Sequence, residues 1–439
     1  MKSKITIWVV ILLTFLALTP NQTGLAADPV IAITKNRVTS NVCIGNRAMA
    51  WLDGAGYTKS VKLYEFSEGT TETIVSDSEG IFDLALDGDY LGWIDRSSGT
   101  SDIIIYNLHT RKIQQVISTP SQKSNLGISG FKVVWNDRMD WNSDVHLFDL
   151  NSKQETAITD DDTNEAEPVI SGNYIVWIEA HGGMDDVYAY SLINGTKEKI
   201  SSISSSKSEL SVYGNQVVWE DTRSGNKDIF YYDLEKGIEK RITSGSGKEE
   251  TPQIFGTKII YTARASGYKD VCLYNLETGD NKYLTNNQIV QTPQIFGNHL
   301  AWIKQESEYS DVCIQENDIY SNDSGIHVVL NGKLIKSDPS ATIENSRTLI
   351  PARALFESLG GEVIWDDKNR KIEITKSSTS IKLEIGSRTA YLDGKAINLE
   401  VPAKIITGRT FIPLRFVSEA LGAVVQWDDQ SRTVLIVSN

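Results

Sequence analysis

Apolar positions fall into short runs separated by polar turns. Tyr174-Ile-Val-Trp-Ile, Asp228-Ile-Phe-Tyr-Tyr-Asp-Leu and Glu239-Lys-Arg-Ile-Thr are representative, and each reads as a short strand bounded by turn residues. The runs are periodic. Trp51, Trp93, Trp135, Trp177, Trp219, Tyr261 and Trp302 stand 42, 42, 42, 42, 42 and 41 residues apart. Five residues before each from Trp93 onward is a glycine: Gly88, Gly130, Gly172, Gly214, Gly256 and Gly297. Gly45 in the first unit is six before its tryptophan. Nine residues after come Ser60, Asp102, Asp144, Asp186, Asp228, Asp270 and Asp311, and an aromatic follows four further on in six of the seven units. Each unit predicts four strands, a to d. Strand c is apolar at nearly every position, so both of its faces must be covered. Sheets packed face to face around an axis satisfy that requirement, and about 42 residues is the length of a propeller blade.

The seventh unit has strands a to c but no clear strand d before Asn317. Val30-Ile-Ala-Ile-Thr34 lies 17 residues before Trp51, the spacing of a strand d from the next aromatic. The chain's leading strand is therefore expected to complete the last blade and remove an exposed edge.

Beyond Gly325 the period changes to 62. Asn331-Gly332 matches Asp393-Gly394, Arg347-Thr348 matches Arg409-Thr410, Ile350-Pro-Ala-Arg353 matches Ile412-Pro-Leu-Arg415, and Trp365-Asp-Asp367 matches Trp427-Asp-Asp429. Pro351 and Pro413 suit a helix start, and Gly360 and Gly422 a helix stop. Arg353 and Arg415 each have a glutamate four residues on, Glu357 or Glu419, and a local ion pair is expected. Trp365 and Trp427 are expected to pack in the core. The fold class is thus mainly β: a seven-bladed β-propeller over 28–320, a linker at 321–325, and a small duplicated α+β domain over 326–439.

Two resemblances sharpen this reading. Units such as Trp219-Glu-Asp-Thr-Arg-Ser-Gly-Asn-Lys-Asp-Ile-Phe-Tyr-Tyr-Asp-Leu resemble the TolB-type propeller repeats of bacterial and archaeal cell-surface proteins. The 62-residue pattern resembles the copper amine oxidase-like N-terminal domain of secreted Gram-positive proteins. The first implies a scaffold, not a reaction. The second implies surface display or wall association without copper chemistry, because the Asn-Tyr-Asp/Glu quinone precursor and the His-x-His copper pair are absent.

Charge and composition narrow the setting. Lys2, Lys4, the apolar run Ile5 to Leu18 and Gly24-Leu25-Ala26-Ala27 form a secretory signal peptide over 1–27. Residues 28–325 hold 26 Lys and Arg against 44 Asp and Glu, a net of −18 that repels nucleic acid and anionic membranes. Cys43, Cys272 and Cys313 lack metal-ligand spacing and are expected to be buried free thiols.

Local motifs offer little chemistry. His109, His146, His181, His299 and His327 form no pair at metal-ligand spacing, so neither metal nor cofactor is expected. Gly245-Ser-Gly-Lys248 imitates a phosphate loop but has Glu249 where Ser or Thr should follow. The recurring strand-c aspartates are expected to cap the b–c turns, neutralised by Arg96, Arg138 and Arg223. The units differ most in the d–a and b–c loops, which emerge on one face. Tyr57, Trp141, His181, Tyr268 and Tyr309 at the b–c tips are the candidate ligand-binding residues, since aromatics beside carboxylates and amides can stack on sugars or grip peptides. The expected function is a monomeric secreted or wall-associated binding protein for an extracellular polysaccharide, peptide or protein, not an enzyme. The alternatives are a carbohydrate-active lyase or glycosidase on the same face, and a purely structural surface protein.

Overall fold

The structure, a computed structural model, describes residues 30–139, 141–316, 325–331, 333–376, 378–428 and 432–438. The expected leader and residues 321–324 lie outside them. Seven four-stranded sheets follow one another from residue 31 to residue 316. In the first, strands a to d are Thr39–Ile44, Ala48–Asp53, Thr58–Glu65 and Thr70–Glu79. The strand a of each sheet lies against that of the next, and that of the seventh lies against the first, so the ring is closed. The seventh sheet comprises Val290–Phe296, His299–Gln305 and Ser310–Glu316. Its fourth strand is Ile31–Ala32, antiparallel to the third with Ile31 opposite Ile314. The recurring indoles and Tyr261 sit on strand b, buried between neighbouring sheets.

The strand-c aspartates do something other than expected. At the end of strand d stands a hydroxyl: Thr159, Ser201, Thr243, Thr285 and, for the seventh sheet, Thr34. Each accepts the backbone N–H of the residue after the aspartate, Val145, Val187, Ile229, Val271 and Val312, at 2.9–3.0 Å. Each also donates to the aspartate itself, as in Thr285 to Asp270 at 2.8 Å and Thr34 to Asp311 at 2.9 Å. In these five blades the carboxylates therefore brace the start of the d–a connection, whereas Asp102 in the second blade accepts from Ser98 and Thr100 of the b–c turn, as expected. The reason is geometric, because strand d ends beside the start of strand c and leaves backbone donors there to satisfy. The arginine expectation also fails. Asp228 pairs with Arg241 at 2.7 Å, Arg96 lies over the Phe82 ring, and Arg223 serves other carboxylates described below.

In the C-terminal domain the first strand of one half, His327–Leu330, pairs in parallel with the last strand of the other, Thr433–Val437. The central pair of another sheet, Arg347–Pro351 and Arg409–Pro413, is antiparallel with Ile350 opposite Ile412. These are equivalent residues of the two copies, so the halves meet about a local two-fold. Helices Ala352–Leu359 and Leu414–Ala420 begin directly after Pro351 and Pro413, and the first stops at Gly360 with φ 71°. The Arg415–Glu419 pair forms at 3.6 Å. Trp427 packs against the core of this domain. Trp365 does not: its strand, Glu362–Asp366, is exposed throughout, whereas the equivalent strand Val424–Asp428 rests on the propeller.

That docking joins the two parts. Val424 lies against the Gly130 turn and Val437 against the Gly172 turn. Asn46 donates to the Trp427 carbonyl and Asn173 to the Gly422 carbonyl, both at 3.3 Å, and Gln426 donates to Asp87. Gly172 has φ 58° and a Cβ there would stand 3.0 Å from Val437, so both its backbone and its neighbour require glycine. Tyr213 and Phe255, at the ends of two inner strands, share one apolar cluster with Val329 and Leu435. The C-terminal domain thus covers the a–b turn face and leaves the b–c face open. Replacing Thr34 by Val removes two bonds that hold the closing strand and is expected to cost about 1–3 kcal/mol. Deleting residues 30–36 is expected to lower Tm far more and to promote aggregation through the bared edge. Calorimetry and light scattering would check both.

Candidate functional site

Every strand a carries a register shift, and at each shift one non-glycine residue adopts positive φ: Asn41, Asp83, Asn125, Glu167, Glu209, Thr251 and Thr292, with φ between 44° and 57°. Such a conformation is unfavourable for these residues and persists only where surroundings impose it. Its recurrence once per blade marks a built-in bulge. The bulge turns polar groups toward the next blade. Asp83 accepts the Asn125 N–H at 3.0 Å, Glu167 accepts the Glu209 N–H at 2.5 Å, and Glu220 accepts the Thr251 N–H at 2.6 Å. Deeper along the axis Asp87 accepts from Gly130 at 2.7 Å, Ser129 from Gly172 and Ser171 from Gly214 at 3.0 Å. Side chain-to-backbone bonds therefore link neighbouring blades around the axis at two depths.

They surround a cavity of about 730 Å³. Val424, Gln426, Leu435 and Val437 of the C-terminal domain form its floor, and Asn41, Asp83, Glu209 and Thr292 its opposite end. Asp83, Asp87 and Glu209 contribute carboxylates, and among the described residues no Lys, Arg or His lines it. Burial raises the pKa of Asp83 and Asp87 against the N–H donors that favour their charged forms. Burial pushes the Glu167 carboxyl up to about 7, and neighbouring Glu209 adds to the rise. Glu209 is itself raised by burial and by Glu220, with Lys227 and Lys269 opposing. Its side chain reaches solvent yet is walled in by the ring on most sides.

The aromatics singled out in the sequence lie elsewhere on this open face. Tyr57 and Trp141 are 88% and 87% exposed. His181, Tyr268 and Tyr309 are also exposed, and His181 is 3.6 Å from Glu179. They occupy the b–c tips of five different blades. The ring–ring contacts of the described residues join no two of them. The axial carboxylates were missed, although polar residues at 41, 83, 125, 167, 209, 251 and 292 recur in the blade period and could have signalled them. Sequence spacing also missed a convergence in the third blade, where Asp137, His146 and Glu155 each place a ligand atom within 4.8 Å of the others.

Fold and site define a β-propeller whose axial cavity is closed at one end by a second domain. Residues 329–436 match the family model of the copper amine oxidase N-terminal domain. A protease inhibitor of Brevibacillus choshinensis is 26% identical over 110 residues, 25% of this chain, which spans about a third (34%) of that relative's length. The β-propeller domain of the Trilobed protease from Pyrococcus furiosus superposes with a TM-score of 0.53 at 12% identity, covering 64% of this chain and 96% of that one. TolB from Acinetobacter baumannii gives a TM-score of 0.44 at 17% identity, covering 56% and 66%. The N-terminal part thus has the β-propeller fold, and the C-terminal part is similar to the amine oxidase N-terminal domain.

The Glu167 carboxyl gives a pH signature. Folded protein holds its proton up to about pH 7, whereas the unfolded side chain releases it near 4.5. Its stabilising contribution is therefore full below pH 4.5 and is lost as pH rises through 7. Glu167→Gln is expected to flatten the fall of stability between pH 5 and pH 8 by about 2 kcal/mol. Denaturant melts at the two pH values would read it.

Proposed function

We propose that this is a secreted or wall-associated binding protein, held outside the cytoplasm, whose open propeller face takes a neutral or basic protein, peptide or polysaccharide. One observation carries the reading: the C-terminal domain occupies one end of the axis, so the free face holds the acidic mouth and the exposed tips together. A cavity lined by three carboxylates and, among the described residues, by no cation disfavours polyanions and attracts cationic side chains. Tyr57, Trp141, Tyr268 and Tyr309 supply stacking area around it. The relative named as a protease inhibitor supports a protein partner, and the leader together with the amine oxidase-type domain supports an extracytoplasmic place.

A second reading, a carbohydrate-active enzyme, draws on Glu167. A carboxyl protonated near neutrality beside a second carboxylate is the pairing that glycoside hydrolysis uses. Against it, the Glu167 oxygen is already committed to the Glu209 N–H. Binding of the full chain to glycan and peptide arrays, repeated with Trp141→Ala, Tyr268→Ala and Asp83→Asn, tests the first reading. At least one variant is expected to lose about tenfold in affinity, a typical effect for an anchoring aromatic. Unchanged binding in all three would reject the open face. Glycan hydrolysis abolished by Glu167→Gln would establish the second reading instead.

A further inference from the structure

The propeller contains its own control for the cluster in the third blade. In the fifth blade Asp221 on strand b, Phe230 on strand c and Glu239 on strand d share one face of the sheet. The Arg223 guanidinium bridges the two carboxylates, 2.6 Å from Asp221 and 2.9 Å from Glu239, and lies 4.3 Å over the Phe230 ring. In the fourth blade the corresponding Glu179 has Lys197 at 3.1 Å, with that ammonium over the Tyr188 ring. A carboxylate on this face is thus accompanied by a cation.

Eighty-four residues before each member of the fifth-blade set stand Asp137, His146 and Glu155. Most of the surroundings are kept. Trp135 donates its indole N–H to Asp137 at 3.0 Å, as Trp219 does to Asp221. Buried Lys123 and Lys207 lie 3.7 and 3.4 Å from the respective aspartates. Two things change. The position of Arg223 is taken by Met139, 66% exposed, and the Phe230 ring is replaced by an imidazole. His146 Nδ1 lies 2.8 Å from Glu155 Oε1. The third blade therefore retains both carboxylates, lacks the bridging guanidinium and gains a ligating nitrogen in its place.

We infer that this face of the third blade binds one divalent transition-metal ion through Asp137, His146 and Glu155. One nitrogen and two carboxylate oxygens suit zinc or manganese, whereas calcium and magnesium favour all-oxygen sets. The three ligands come from adjacent strands paired in register, which fixes their spacing. Metal–ligand bonds of about 2.0–2.2 Å require Glu155 to move slightly from its contact with His146, and its partly exposed side chain permits this. Glu155 and Asp102 join Asp137 in setting negative charge against Lys123.

The test is calorimetric titration of the full chain with Zn²⁺ and with Mn²⁺ at pH 7.5, alongside His146→Gln, Glu155→Gln and Met139→Arg. One saturable equivalent is expected, weakened at least about tenfold by each ligand variant, in line with the sensitivity of metal sites to lost partners. Met139→Arg, which installs the fifth-blade guanidinium, is expected to abolish binding while Tm is maintained, so that loss of metal is distinguished from loss of fold. No saturable binding, or binding indifferent to all three substitutions, would overturn the inference. Array binding on the open face is read separately, so either proposal can fail alone.

Discussion

A four-stranded sheet that is apolar on both faces cannot stand alone in water, and everything else in this molecule follows from how those faces are covered. Each blade buries its strand-b aromatic against a neighbour, so no blade is stable without the next, and the last must find the first. A linear stack would leave two apolar ends and an unpaired edge. The chain avoids both by giving its leading strand to the seventh blade, where Thr34 makes the hydroxyl bonds that strand-d residues make elsewhere. Closure is thus built from the same interaction as the blades.

Closing a ring creates an axis, and the axis poses a second packing problem. Inner strands converge there, and their backbones bulge in every blade to send polar groups across to the next. One end of the resulting cavity is filled by the C-terminal domain. Seven nearly equal blades receive an unsymmetrical partner, so equivalent positions must differ. Where the partner is apolar, the inner strands end in Tyr213 and Phe255. Where it offers Gln426, the equivalent position is Asp87. Trp365 and Trp427 show the reverse dependence. They are equivalent in sequence, yet only the second has the propeller behind its strand.

This explains what could and could not be read from the residues. The blade period, strand order, closing strand and duplicated C-terminal unit were legible because each is a local pattern repeated many times. The buried thiols Cys43, Cys272 and Cys313 were legible too. The axial ring was overlooked because its residues are chemically mixed, and what they share is a backbone conformation. The strand-c aspartates were recognised as structural, but except for Asp102 they serve the d–a connection and not the b–c turn, since sequence gives the neighbours of a residue along the chain and not those across strands c and d. Docking of the C-terminal domain leaves no periodic trace at all.

In a repeat protein the blades constrain one another's interpretation. A feature present in every unit answers a need of the fold, which is why the recurring aspartates and bulges do not by themselves identify a ligand. A feature that breaks the pattern while its surroundings stay constant has lost that explanation. Met139 and His146 break it within a frame of Trp135, Lys123 and Asp137 that matches the fifth blade contact for contact. Asp83, Glu167 and Glu209 carry charge at the axis, where Asn41, Asn125, Thr251 and Thr292 hold the same backbone conformation without it. Uncharged residues therefore suffice for the bulge itself, whereas the Asp83 and Glu167 carboxylates add bonds to the backbone of the next blade, and burial of Glu167 disfavours its charged form near neutral pH.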